Sequence, residues 1–387
     1  MTPEFDRRHE NEPASSKVQI WQNYGTFIDR IKGPLNVRGW TLQERELSPR
    51  ILHYTKDQVL WECRECTASE ARPEMDRKDN SQLSTEYDDP PYLKLALPWN
   101  GKKVGVSAWR LLDETSDRGA EAILGKWYAL VEAYSRRQLT QKLDKLPAIS
   151  GIAAEVAFTL EGDIYAAGLW KGDIFRGLSW FPGPALRRRA KRGAWPLPRT
   201  DDGIPSWSWA AWDGPVTHYA QHKFDETREF VVIDGWRSWA ISPEQIQLLG
   251  IQITHASRDP FGRVSGGRLR LSGWAIEASV SEDQCEPDPC GTGLRGKYYH
   301  LPGSFKYPST MRLYFDADPE ELPQISIVCL QLGSGLSVRC TVGDVGLVLM
   351  KMGDGKSDTY CRVGMFDVER VDKKWLSLRA KRAVLIE

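Results

Sequence analysis

The sequence predicts an α+β fold, and three features point to it. Apolar residues recur at helical spacing only in the first half of the chain. Past residue 204 the texture changes to short alternating runs with Gly and Asp turns. No helical pattern separates those runs, so their strands belong to an antiparallel sheet or sandwich rather than a parallel one.

The elements follow in order. Residues 1–16 are polar and charged, without an apolar core of the signal-peptide kind, and read as a disordered leader. Ile20, Trp21, Tyr24, Phe27, Ile28 and Ile31 line one helical face, which Gly33-Pro34 ends. In "RGWTLQERELSPRILHYTKDQVLWEC", Trp40, Gln43, Glu44 and Leu47 share a face at the same spacing, up to Pro49. Arg50–Thr55 and Gln58–Cys63 are two apolar runs joined by Lys56-Asp57, a hairpin signal. Residues 67–116 begin with a charged, aperiodic, Pro-containing span and are expected to form a loop or linker.

Residues 117–182 form a helical segment. Trp127, Leu130, Val131 and Tyr134 mark one helix, and a second opens at Pro147 with Ile149, Ile152, Ala153 and Val156. "GLWKGDIFRGLSW" is a candidate third. A basic, Pro-rich loop spans 183–203, and a β-rich unit spans 204–387. Within it, "GGRLRLSGWAI" puts Leu269, Leu271 and Ala275 on one side and Arg268, Arg270 and Ser272 on the other. "TMRLYFD", "QISIVCLQL", "VGLVLMKM" and "TYCRVGMFDV" continue the series. Trp40, Trp61, Trp207, Trp209 and Trp212 are expected to be core or inter-unit packing residues, given 16 Trp in 387 residues.

Charge and cysteine content bound the function. Lys+Arg 52 balance Asp+Glu 52, so no global field recruits nucleic acid or an anionic membrane. No stretch approaches the roughly 20 apolar residues of a membrane helix. Seven Cys in a long chain without a glycosylation sequon fit reduced thiols in the cytoplasm or nucleus.

Several motifs match in letters but lack their context. Gly291-Thr292-Gly293-Leu294-Arg295-Gly296 has the dinucleotide spacing without the flanking strand and helix that the pyrophosphate needs. "GDGKS" at 353–357 has Met350 where a phosphate-binding loop needs glycine, and reads as a turn. Cys63 and Cys66 form a CxxC, but the Cys285–Cys290 pair is too wide to complete a zinc site, so no metal is expected. His218 and His222 lack an HExxH and read as satisfied or exposed. Arg187, Arg188, Arg189, Lys191 and Arg192 form a basic patch that is either solvated or a nuclear or nucleic-acid contact. Glu44, beside Trp40 and Leu47, reads as a partly desolvated carboxylate that pairs with Arg38, Arg45 or Arg50 and anchors helix to hairpin.

"RGWTLQERELSPRILHY", followed by "VLWEC" and "ASE", resembles the last of three sequence blocks of the fungal heterokaryon-incompatibility (HET) domain. Arg38, Gly39, Trp40, Gln43 and Trp61 carry that likeness. "LVEAYSRRQLTQKLDKLPAISGIA", "YAAGLW", "PSWSWAAWDGPV" with Trp207 and Trp209, and "CRVGMF" resemble segments that commonly follow the domain. The resemblance implies that residues 17–66 are the C-terminal part of a HET domain, a remnant of a TIR-like, flavodoxin-like unit. It implies a role in non-self recognition and cell death, with protein partners of an incompatibility pathway. Some TIR domains cleave NAD with a glutamate in a W-x-x-x-E setting, and Trp40 and Glu44 have that spacing. Glu44 is therefore the residue onto which an NAD glycohydrolase role is carried, by stabilising an oxocarbenium-like transition state. The two earlier HET blocks have no counterpart here, so the chain resembles a member lacking the front of its domain. The expectation is accordingly a non-enzymatic regulatory protein without a cofactor, with NAD cleavage at Glu44 as the alternative.

Overall fold

The computed structural model describes residues 33–63, 66–77, 118–182, 203–218, 236–240, 244–280, 285–286, 297–300, 310–316, 325–337, 342–352, 358–368 and 373–387. The leader, the helix expected at 20–31, the basic patch at 187–192, His222, Cys290 and the motifs at 291–296 and 353–357 lie outside them.

Helix α1 spans Trp40–Leu47, as the spacing predicts. Gly39 precedes it, where a Cβ would lie 2.4 Å from Leu139 Cδ2 and so would displace that side chain. Strands β1 (Arg50–Tyr54) and β2 (Val59–Cys63) form the expected antiparallel hairpin, from Arg50 opposite Cys63 to Tyr54 opposite Val59. Thr55 closes the turn through Oγ1, which donates to the Gln58 carbonyl at 2.7 Å. Pairing then continues where the sequence predicts a loop: β3 (Cys66–Ser69) and β4 (Arg72–Arg77) extend the hairpin to a four-stranded antiparallel meander. The edge of β2 templates β3, which in turn pairs with β4, a cue that local composition does not carry.

Helix α2 (Arg118–Ser135) buries Trp127, Leu130, Val131 and Tyr134. A 3-10 turn, Pro147–Ile149, opens helix α3 (Ser150–Thr159), as its proline predicts. "YAAGLW" is a tight hairpin of β5 (Tyr165–Ala166) and β6 (Leu169–Trp170). Its turn residues Ala167 and Gly168 both have positive φ, 47° and 96°, the handedness that matches strand twist. Helix α4 (Ile174–Gly177) follows, then β7 (Trp180–Pro182), which pairs with β8 (Val216–His218).

The C-terminal half is mostly antiparallel, in line with an α+β class. Its strands are β9 (Trp236–Ala240), β10 (Ile246–His255), β11 (Val264–Val280), β12 (Cys285–Glu286), β13 (Lys297–His300) and β14 (Thr310–Phe315). Then come β15 (Ile325–Ser337), β16 (Val342–Lys351), β17 (Thr359–Val368), helix α5 (Lys373–Leu378) and β18 (Ala380–Ile386). β11 pairs with β15, β15 with β16, β16 with β17, β17 with β18 in parallel, and β18 back with β11. That circuit is closed, so these five strands present no open edge to one another. Leu269, Leu271 and Ala275 are buried and Arg268 and Arg270 exposed, as the alternation predicts.

Residues of alternate parity face two cores. Leu330, Leu332, Val345 and Leu347 join one that runs from Leu42 through α2, α3 and the Trp-rich segment to Ile386. Ile327, Cys329 and Val348 face a smaller one with Met311, Leu313 and Phe366. The first core is continuous between the helical segment and the sheet.

Candidate functional site

The helix is placed as expected, but its inward face is different. Leu42, Arg45 and Glu46 are buried, whereas Glu44 is exposed and Trp40 keeps 39% of its surface. Two expectations are corrected: Glu44 is not desolvated, and Trp40 is not a core residue. Trp40 lies across the surface instead, its Nε1 donating to Asp144 Oδ2 at 3.3 Å. Gln43 and Leu47 dock on α3, where the Gly151 N–H donates to Gln43 Oε1 at 2.7 Å. Any side chain at Gly151 would meet those two residues at 3.0 Å. Arg38 is exposed, and its carbonyl accepts from Thr41 Oγ1 and Arg137 Nη1.

The glutamate that faces inward is Glu62, from "VLWEC". It shares strand parity with Leu60, and both are fully buried. Arg45 reaches it from α1 with Nε at 3.0 Å from Oε2 and Nη2 at 3.4 Å from Oε1. His53, on β1, places Nε2 2.8 Å from the same Oε2. Arg137, at the end of α2, is held down to about 10 by burial and by Arg45, while Glu46 pulls the other way. Two arginines and two glutamates thus offset one another where α1, the meander and α2 meet, with His53 at the rim. Buried charge persists only when paired, and here each element supplies part of the set. The sequence signal was a charged residue at inward parity inside an apolar run. Trp61, on the opposite parity, is half-buried rather than a core residue.

The "PSWSW" segment is a second polar and aromatic hub. Trp207 and Trp209 are buried as expected, and Trp212 packs at the rim of the core. The Gly168 carbonyl accepts from Trp127 Nε1 at 3.2 Å and Trp209 Nε1 at 3.0 Å, and Trp180 Nε1 donates to the Trp207 carbonyl at 3.0 Å. Ser208 Oγ donates to the Ala167 carbonyl at 2.5 Å, which fixes the strained turn of the β5–β6 hairpin. From the barrel, Arg362 stacks 3.4 Å from the Trp180 ring centroid and donates to the Leu178 and Trp180 carbonyls. Burial pulls its guanidinium down to about 10, with Asp316 opposing.

His218 departs from both expected states. It is fully buried, its backbone N–H donates to Glu132 Oε1 at 2.7 Å, and its ring lies 4.6 Å from the Tyr128 ring. Neither ring nitrogen has a hydrogen-bond partner among the described residues; Nδ1 stands 3.8 Å from Glu132 Oε1. Burial lowers its pKa, so the ring is neutral near pH 7. Next to it Tyr128 donates to Asp173 Oδ2 at 2.9 Å, and Arg176 Nε sits 2.5 Å from that oxygen. Burial raises the Asp173 pKa against the pull of Arg176.

Among the described residues no set of three His, Cys, Asp or Glu side chains is placed to hold a metal ion. No helix among them is long and apolar enough to cross a membrane. No family model, no curated protein and no solved structure matches the chain.

Proposed function

We propose that this protein is a non-enzymatic regulatory or interaction protein of the HET type, acting with protein partners in fungal non-self recognition and cell death. The position of Glu44 carries the proposal. An exposed carboxylate is hydrated and screened, whereas stabilising an oxocarbenium-like charge needs a preorganised, water-poor cleft. The charged groups nearest to it in sequence, Arg45 and Glu46, are turned into the protein. Apolar exposure on the same unit supports an interaction role. On the outer parity of the meander, Leu52 and Tyr54 are exposed on edge strand β1, opposite half-buried Trp61 and Val59.

In this reading, α1 and the following hairpin are the remnant of a TIR-like unit. The four strands that follow α1 directly, β1 to β4, pair antiparallel, so the parallel strands of such a unit would come from outside this meander.

The test is expression in a filamentous fungal host, with NAD measured in parallel. Growth arrest is expected from the wild type and from Glu44→Ala alike, and its loss from the Leu52→Asp/Tyr54→Asp double variant. Purified protein that releases nicotinamide steadily, and ceases to do so as Glu44→Ala, would transfer the function to NAD cleavage.

A further inference from the structure

The meander places two thiols together. Cys63 ends β2 and Cys66 begins β3, and their Sγ atoms are 3.4 Å apart. The β2–β3 register runs from Leu60 opposite Ser69 to Glu62 opposite Thr67. One step further brings Cys63 opposite Cys66. Facing residues of antiparallel strands have Cα atoms about 4.5–5.5 Å apart, within the roughly 4.4–6.8 Å that a disulfide spans. The two sulfurs can therefore join without moving either strand.

The sulfurs differ in access and in partner. Cys63 is half-buried and accepts from the Cys66 backbone N–H at 3.4 Å, whereas Cys66 is buried. The barrel thiols are placed otherwise. Cys329 and Cys361 are buried on the small core, where burial pushes the Cys329 thiol up to about 12. A thiol in that environment does not ionise to attack a disulfide.

We propose that Cys63 and Cys66 form a reversible dithiol–disulfide site whose oxidant is a low-molecular-weight disulfide of the glutathione class. The Cys63 thiolate attacks one sulfur of oxidised glutathione, the S–S bond of glutathione breaks, and one glutathione thiolate leaves. The Cys66 thiolate then attacks the Cys63 sulfur of the mixed disulfide and expels the second glutathione. The two protons of the protein thiols end on two glutathione thiols, and the two electrons pass from the protein sulfurs to glutathione. The product staples the end of the strand that carries Glu62, so oxidation acts on the hairpin that Arg45 grips from α1.

The experiment equilibrates the full-length protein in glutathione buffers from fully reduced to fully oxidised, quenches it, alkylates it, and maps the thiols by mass spectrometry. Cys63 and Cys66 are expected to lose alkylation together at one midpoint, and to regain it with reductant, while Cys329 stays alkylatable after unfolding. Cys66→Ser should hold a glutathione adduct on Cys63, and Cys63→Ser should leave Cys66 unmodified. In urea the equilibrium constant for the bridge should fall at least tenfold, because the fold sets the spacing. The proposal is overturned by thiols that remain reduced across the range, by a mixed adduct on wild-type Cys63 that never resolves, or by an equilibrium that urea leaves unchanged. The wild-type titration decides the matter alone if a serine variant does not fold.

Discussion

Replacing Glu62 by Gln keeps the side chain's shape and removes its charge from the place where Arg45 and His53 meet. The carboxylate accepts at 2.8 Å from His53 and at 3.0 Å from Arg45, with a third, 3.4 Å bond adding little. Hydrogen bonds to charged groups are worth about 1.5–3 kcal/mol each, and breaking a buried ion pair from one side costs about 3–5 kcal/mol. Both routes put Glu62→Gln at about 3–5 kcal/mol of destabilisation. Glu44→Ala, on the exposed face of α1, the helix that carries Arg45, should stay within about 0.5 kcal/mol of wild type. Replacing the pair together, as Arg45→Met/Glu62→Leu, removes both buried charges and should recover most of the loss. Urea unfolding followed by Trp fluorescence reads these proteins together with the single variants Arg45→Met and Glu62→Leu, and the double-mutant cycle isolates the coupling. A Glu62→Gln midpoint equivalent to less than about 1 kcal/mol, or a double variant as unstable as the two single losses added, would refute the reasoning.

Three more outcomes follow from the same geometry. The lowered pKa of His218 means that the unfolded chain takes up its proton first. Its contribution is therefore fully present above about pH 6.5 and lost as pH falls from there toward the folded value, by about 1.4 kcal/mol per unit of depression. Glu132, Tyr128, Arg176 and Arg362 surround the ring, so His218→Phe should flatten that part of the profile in pH-dependent urea unfolding. Gly168→Ala combines φ of +96° with a Cβ 2.4 Å from Trp209 Nε1, and should cost about 2–4 kcal/mol by thermal melting. Arg362→Lys keeps the charge but loses the planar stack on Trp180 and one of the carbonyl bonds, and should cost about 2–3 kcal/mol with a shifted Trp emission.

Where structure follows from neighbours in the chain, it was legible in the sequence. Alternation such as Leu269, Arg270, Leu271 puts strands on the page directly, and Pro147 marks a helix start that the fold keeps. Closure of the barrel by β18 was not legible, because it depends on which edges meet. Strands β3 and β4 were hidden by their charges and Pro73, since pairing of β3 with β2 and of β4 with β3, rather than their own composition, specifies them. Helix α1 shows why a face is harder to read than a helix. Periodicity turns charges outward, yet Arg45 and Glu46 go in because Glu62 and Arg137 offset them from 17 and 91 residues away.

The same inversion bears on the W-x-x-x-E spacing. Trp40 and Glu44 do share a helical face, but it looks outward, beside Leu35 and Val37, which are exposed on the preceding turn. Thr41 ties that turn to the helix by donating Oγ1 to the Leu35 carbonyl at 2.5 Å. A carboxylate there becomes desolvated only when another surface covers it, and the surface that covers Glu44 also buries Trp40. A partner-dependent NAD cleavage and a purely binding role therefore make the same demand on Trp40. Trp40→Ala should weaken either, whereas Glu44→Gln, which keeps the shape and removes the charge, should affect only the first. Growth arrest that survives Glu44→Gln and fails with Trp40→Ala separates recognition from chemistry on this helix.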